Sequence, residues 1–164
     1  MLVLTRVDDR LIHGMIIIGW AHYTNADIII VANDEIANDE MRKTLMEMIV
    51  PPNIKAYILG IKESVEKLAH KELEKKRIIL LFNNPKDVLT FLDYSNIYFD
   101  KLNIGPMSYE ENKIEIFSGI AISEQDKESF INIHKKGIKL EIRVTPSDQK
   151  TDLIKLLDNT KFKT

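Results

Sequence analysis

Cysteine is absent from the 164-residue chain, which excludes a disulfide framework, a thiolate zinc site and a cysteine nucleophile. An excess of positive charge is missing too: 23 lysines and arginines against 25 aspartates and glutamates leave a formal net charge of −2. No global positive field marks nucleic acid as a partner, so any anion site must be local. The longest apolar runs, such as IIIVA and IILLF, fall far short of the ~18 residues that a membrane span requires. The opening MLVLTRVDDR reaches charge early and lacks the basic start, apolar middle and cleavage site of a signal peptide. These features predict a soluble, cytoplasmic protein. Neither G-x-G-x-x-G nor a Walker loop occurs, and no two histidines have metal-ligand spacing, so no cofactor and no metal are expected.

Short β-branched or aliphatic runs are plentiful. LVLTRV, DIIIVAN, KAYILG, RIILLF, YFDKLNIG and KLEIRV read as strands, several apolar on both faces, as buried parallel strands are. Helical spacing lies between them: Met41, Leu45, Met48 and Ile49; Val65, Leu68 and Ala69; Val88, Leu89 and Leu92; Leu153, Leu156 and Leu157. The alternation predicts one α/β domain over 1–164, with a mainly parallel open sheet of about six to seven strands and helices on both faces. Pro51-Pro52 ends one helix, Asn84-Pro85 opens another, and Pro146 precedes a helix capped by Ser147 or Asp148. The segment EENKIEIFSGIAIS breaks the pattern and reads as a short hairpin or edge strand turning at Ser118-Gly119.

VDDRLIHGMIII carries the chemistry. If LVLTRV is the first strand, DDRLIHG leaves its carboxyl end, the rim where open α/β sheets bind ligands. His13 then sits at the mouth of a crevice. Gly14 lets backbone approach a bound group, the following helix offers unpaired N–H donors, and Arg10 adds a planar fork suited to phosphate. Asp8 and Asp9 would repel an anion if both faced it, so one or both orient Arg10 or fix the tautomer of His13. A neutral imidazole with one nitrogen held and the other free is a nucleophile toward phosphorus. The same residues also fit an ion-paired turn bearing an ordinary polar histidine. Arg143, near the end of KLEIRV, and Asn33, leaving the second strand, fall on the same rim, as do Asp34, Asn103 and Gly105. Arg143 is a candidate second phosphate donor; for the others turn and capping chemistry fits equally. Arg6 reads as a strand arginine at an edge or paired with a carboxylate. His22, His70 and His134 read as structural or surface groups.

RVDDRLIHGMIIIGW closely resembles the signature of the IIB subunits of the bacterial sugar phosphotransferase system, mannose/fructose/sorbose family. The similarity extends through VANDEIANDEMRKTLMEMIVPP, LNIG and EIRVTPSD, nearly the whole chain. The resemblance implies an α/β fold and a phosphocarrier enzyme. His13 would accept a phosphoryl group from the phosphohistidine of a IIA partner and donate it to a sugar entering through the IIC/IID permease. It matches Arg10 to the phosphate-binding arginine and Arg143 to the second one, and with Asp9, Gly14 and Asn33 they form the candidate site. The subunit would lie in the cytoplasm against the permease, a homo-oligomer being left open. Two positions depart from the pattern: Met15 replaces the usual glutamine, and GPM at 105–107 replaces Gly-Gly-Met. Met15 motivates an alternative, a regulatory module that senses phosphate without passing it to sugar.

Overall fold

The computed structural model describes residues 1–162. Strand β1, Leu2–Val7, leads through the His13 loop into helix α1, which is π-helical over Met15–Ala21 and α-helical over His22–Thr24. Then follow β2, Ile28–Ala32; α2, Asp34–Ala37; α3, Glu40–Met48; β3, Lys55–Leu59; and α4, Ile61–Leu68. The second half holds β4, Ile78–Phe82; α5, Pro85–Tyr94; β5, Lys101–Ile104; the hairpin β6, Ile114–Phe117, and β7, Ile120–Ile122; α6, Glu124–Lys135; β8, Lys139–Ile142; β9, Thr151–Asp152; and α7, Leu153–Asp158.

Seven strands form one sheet in the order β3-β2-β4-β1-β5-β8-β9, parallel except for β9. β2 and β4 are buried at every residue, as strands covered on both faces must be. One core packs α4 to α7 against one face through Phe82, Val88, Phe91, Phe130, Leu153 and Leu157; the other packs α1 to α3 through Ile16, Trp20, Ile36 and Met46. β1 lies between β4 and β5, and the chain leaves it toward the α1 face whereas it leaves β4 toward the α5 face. Neighbouring connections therefore diverge at the carboxyl end of β1, where a crevice is topologically required.

Local signals act as their chemistry demands. Asn84 caps α5 through its side chain with Pro85 in the first turn. Ser123 and Asp126 form a capping box on α6. The β6-β7 hairpin turns at Gly119 with φ +75°. The helical spacing of Met41, Leu45, Met48 and Ile49 does fall on a helix, but that stripe faces solvent at 74%, 58%, 75% and 47% exposure, and Met46 is the buried residue of α3. Helical spacing fixes which side chains share a face, not which face meets the sheet. After Pro146 there is no helix capped by Ser147 or Asp148: Asp148 instead accepts from Thr145 N, closing a turn, and Asp152 caps α7.

Candidate active site

Arg6 and Asp8, two residues apart at the end of β1, lie on the same face, and both are fully buried. Asp8 Oδ2 accepts from Arg6 Nε at 3.1 Å and meets His13 Nε2 at 2.9 Å, while Asp8 Oδ1 accepts from the Arg10 backbone N–H at 3.2 Å. Asp8 is thus the residue that reaches His13. A carboxylate beside a guanidinium accepts, so in the neutral imidazole this contact places the proton on Nε2 and leaves the Nδ1 lone pair for chemistry.

The loop is held by burial. Leu11 has φ +56°, a costly region for a leucine, and its side chain is 1% exposed. Ile12 is also buried, so of the three apolar residues around His13 only Met15 remains exposed. The His13 side chain keeps 16% of its surface accessible. Gly14 precedes α1 in helical conformation with open space where a Cβ would stand. The Met15 side chain runs along α1, its sulfur lying over Gly19, 2.5 Å from where a Cβ there would sit. The Arg10 side chain is exposed and makes no hydrogen bond or ion pair among the described residues, which leaves its fork free beside the loop.

The other candidates have different work. Asp9 is a brace: its N–H donates to Pro106 O at 3.1 Å, its carbonyl accepts from Asn83 and its Oδ2 from Ser108 N, while Oδ1 is buried without a partner among the described residues. Pro106 contributes a carbonyl there, a contact proline makes as well as glycine does. Asn33 spends both ends of its amide, Oδ1 capping α2 at Ile36 N and Nδ2 donating to Asp87 at 2.7 Å. The Arg143 guanidinium donates to the carbonyls of Pro146 and Asp148 and stacks over Trp20 and Tyr23 at 5.5 and 5.2 Å. It closes the 143–148 turn, and no contact brings it to His13 among the described residues. Arg6, read from the sequence as a strand arginine at an edge or paired with a carboxylate, is paired with Asp8 but sits at the centre of the sheet, and it also donates to Asn103 Oδ1, to Arg143 O at 2.9 Å and to Val144 O at 3.1 Å. The signal for it was the alternation of Arg6 and Asp8 on one face of β1. No group of three or more His, Cys, Asp or Glu among the described residues has metal-site geometry.

Asp87 supplies a pH-dependent element to the same rim. Burial pushes its carboxyl up to about 6 from the ordinary 3.8, and the charge of Asp34 adds to this while the Asn33 hydrogen bond opposes it. The folded protein binds this proton more tightly than the unfolded chain, so its contribution is fully present below pH 3.8 and is lost as pH rises through about 6. Asp87→Asn keeps an oxygen able to accept from Asn33 and Asn84. It is expected to gain about 1–2 kcal/mol near pH 8, discounted for partial exposure, and almost nothing near pH 4. Denaturant midpoints at the two pH values check this; an equal effect at both contradicts it.

Fold and site together define a class: an open, mainly parallel α/β protein with a carboxylate-held histidine at the carboxyl rim of its central strand. The family model described as PTS system sorbose subfamily IIB component matches residues 2–164, and the chain belongs to that family. It is similar to the fructose-specific EIIB component of Bacillus subtilis (strain 168), 37% identical over 158 residues and 96% of each chain. It matches the mannose-specific EIIAB component of Escherichia coli (strain K12) at 32% identity, over 94% of this chain and 47% of that one. The solved IIBSor domain of the sorbose permease from Klebsiella pneumoniae superposes with a TM-score of 0.92 at 33% identity, covering 99% of both chains. The chain is a IIB component of the sorbose/mannose type, a phosphotransferase acting in sugar uptake.

Proposed function

We propose that His13 is the phosphoryl carrier and that the group is held on Nδ1. The observation that carries this reading is the 2.9 Å bond from His13 Nε2 to the buried Asp8. The Nδ1 lone pair attacks phosphorus on a phosphohistidine of a IIA partner; the donor's P–N bond breaks and its electron pair returns to the donor nitrogen. A sugar hydroxyl then attacks the same phosphorus, the P–Nδ1 bond breaks, the pair returns to His13, and the hydroxyl proton is released. Such transfer needs little beyond positioning and charge neutralisation. Arg10, free on the loop, and the backbone N–H groups entering α1 supply the neutralisation. Asp9 and Asn33 act by bracing the loops, and Arg143 by holding the 143–148 turn.

The EIIAB name of the mannose-specific relative supports a IIA donor, and the permease named for the IIBSor structure supports a membrane acceptor complex, here of IIC and IID subunits. No helix among the described residues is long and apolar enough to cross a membrane, which supports a cytoplasmic domain docked on that complex. Incubation with phosphorylated IIA protein is expected to label His13 in an acid-labile, base-stable form, with ³¹P and ¹⁵N NMR placing the group on Nδ1. His13→Ala is expected to take up no label. Normal stoichiometry in that variant, or phosphorus on Nε2, overturns the assignment.

A further inference from the structure

We infer that Arg6 is a positioning residue that keeps His13 a neutral nucleophile, by holding the charge of Asp8 so that the carboxylate orients the imidazole without protonating it. The inference rests on the phosphohistidine reading and adds to it a residue that touches neither phosphorus nor either partner.

Arg6 is an unusual occupant of its position. It is fully buried in the central strand of seven, where a charge is retained only if it is paired and its donors are used. The Nε, Nη1 and Nη2 donors all have acceptors: Asp8 Oδ2, Asn103 Oδ1, Arg143 O and Val144 O. The guanidinium also lies 5.2 Å over the Trp20 ring. A strictly structural ion pair would end at Asp8. Here the oxygen that accepts from Arg6 Nε also meets His13 Nε2, so the guanidinium and the imidazole share one acceptor atom.

The sharing has a chemical consequence. Remove the guanidinium and the buried carboxylate has one partner left that can become cationic. It draws a proton onto His13, both ring nitrogens are then protonated, and no lone pair remains to attack phosphorus. With Arg6 present, Asp8 is already neutralised and serves as a hydrogen-bond acceptor that fixes the tautomer. Few other charges face the pair. On the loop itself stand Asp9 and Arg10; from the end of β4 comes the neutral Asn83, from the 105–108 segment Ser108, from β5 Asn103, and from the 143–148 turn Arg143 and Asp148, joined to each other by a side-chain-to-carbonyl bond. Burial lowers the Arg6 pKa, opposed by Asp8 and reinforced by the nearby charge of Arg10, yet an arginine stays protonated throughout the working range.

The test is the pH profile of single-turnover phosphoryl acceptance from phosphorylated IIA protein, with ¹⁵N NMR of His13 in the unphosphorylated protein. Arg6→Gln is expected to lower the rate about tenfold or more near pH 7 and to recover most of it near pH 9, with His13 seen as imidazolium at neutral pH. A rate depressed in parallel at every pH, with His13 neutral, makes Arg6 merely structural and overturns the inference. Should Arg6→Gln fail to fold, Arg6→Lys decides. Lysine keeps the charge but not the fork, so its profile is expected to lie on the parent's or shift only slightly to alkaline pH, and a rate depressed in parallel at every pH with His13 neutral overturns the inference. The NMR arm does not depend on phosphoryl transfer, so failure of the phosphohistidine reading and failure of this one are told apart.

Discussion

Gly105→Ala is expected to cost about 3–5 kcal/mol and to lower the melting temperature by roughly 6–20 °C, at about 2–4 °C per kcal/mol for a domain of this size. A Cβ at residue 105 would stand 2.7 Å from Arg6 Nε and closer still to its Cζ and Nη2. A flexible side chain normally gives way at little cost. This one cannot, because it is fully buried under Trp20 and bonded to Asp8, Asn103 and the carbonyls of residues 143 and 144. Moving it breaks several charge-assisted hydrogen bonds together, each worth about 1.5–3 kcal/mol. Glycine is required here for space, not for an unusual backbone angle, since Gly105 is not among the glycines with positive φ. Thermal unfolding of the purified variant checks the figure. A loss under 1 kcal/mol means the guanidinium has another place to go.

Much of this fold was legible because its signals are local. Every segment read as a strand contains one, since runs such as IIIVA and IILLF have no other stable fate than the middle of a covered parallel sheet. The hairpin announced itself through Ser118-Gly119, and α5 through Asn84-Pro85. The stripe on α3 revealed the helix but not its orientation, because spacing does not say which face meets the sheet: Lys43 and Val50 are half-buried beside Met46, and the apolar stripe points outward. The π-helical winding of Met15–Ala21 has no sequence signal comparable to a cap or a proline.

The site was legible in part for a related reason. His13, Arg10 and Gly14 share one loop, so chain order alone brings them together. The partners that decide their chemistry come from elsewhere: Asn103 from β5, and the carbonyls of Arg143 and Val144 from the turn after β8, which lies two places from β1 in the sheet. Backbone carbonyls have no residue type to read. Arg143 illustrates the difference, since its position on the rim was inferred from the strand end, yet its side chain turns to Trp20 and Tyr23 and its main chain faces Arg6. Asn33 is similar: the amide that looked available to an anion is occupied by a helix cap and by Asp87.

Asp8→Ala is expected to destabilise the protein by about 3–5 kcal/mol and Asp8→Asn by clearly less, while both slow phosphoryl acceptance. The alanine variant leaves the Arg6 charge buried with only neutral acceptors, which is the costly way to break a buried pair. The asparagine variant keeps an oxygen for Arg6 Nε and loses only the charge. Activity follows different physics. Without a carboxylate at Nε2 the imidazole distributes its proton over both nitrogens and is free to turn, so the fraction presenting a bare Nδ1 falls. Loss of a partner that orients a histidine in this way typically costs about 10–100-fold. Stability and rate therefore separate: measured below the melting temperature of both variants, Asp8→Asn is expected to be slow although well folded. An Asp8→Asn protein that accepts phosphoryl at the parent rate would show that the carboxylate serves the fold alone, and an Asp8→Ala protein as stable as the parent would show that the neutral acceptors suffice for Arg6.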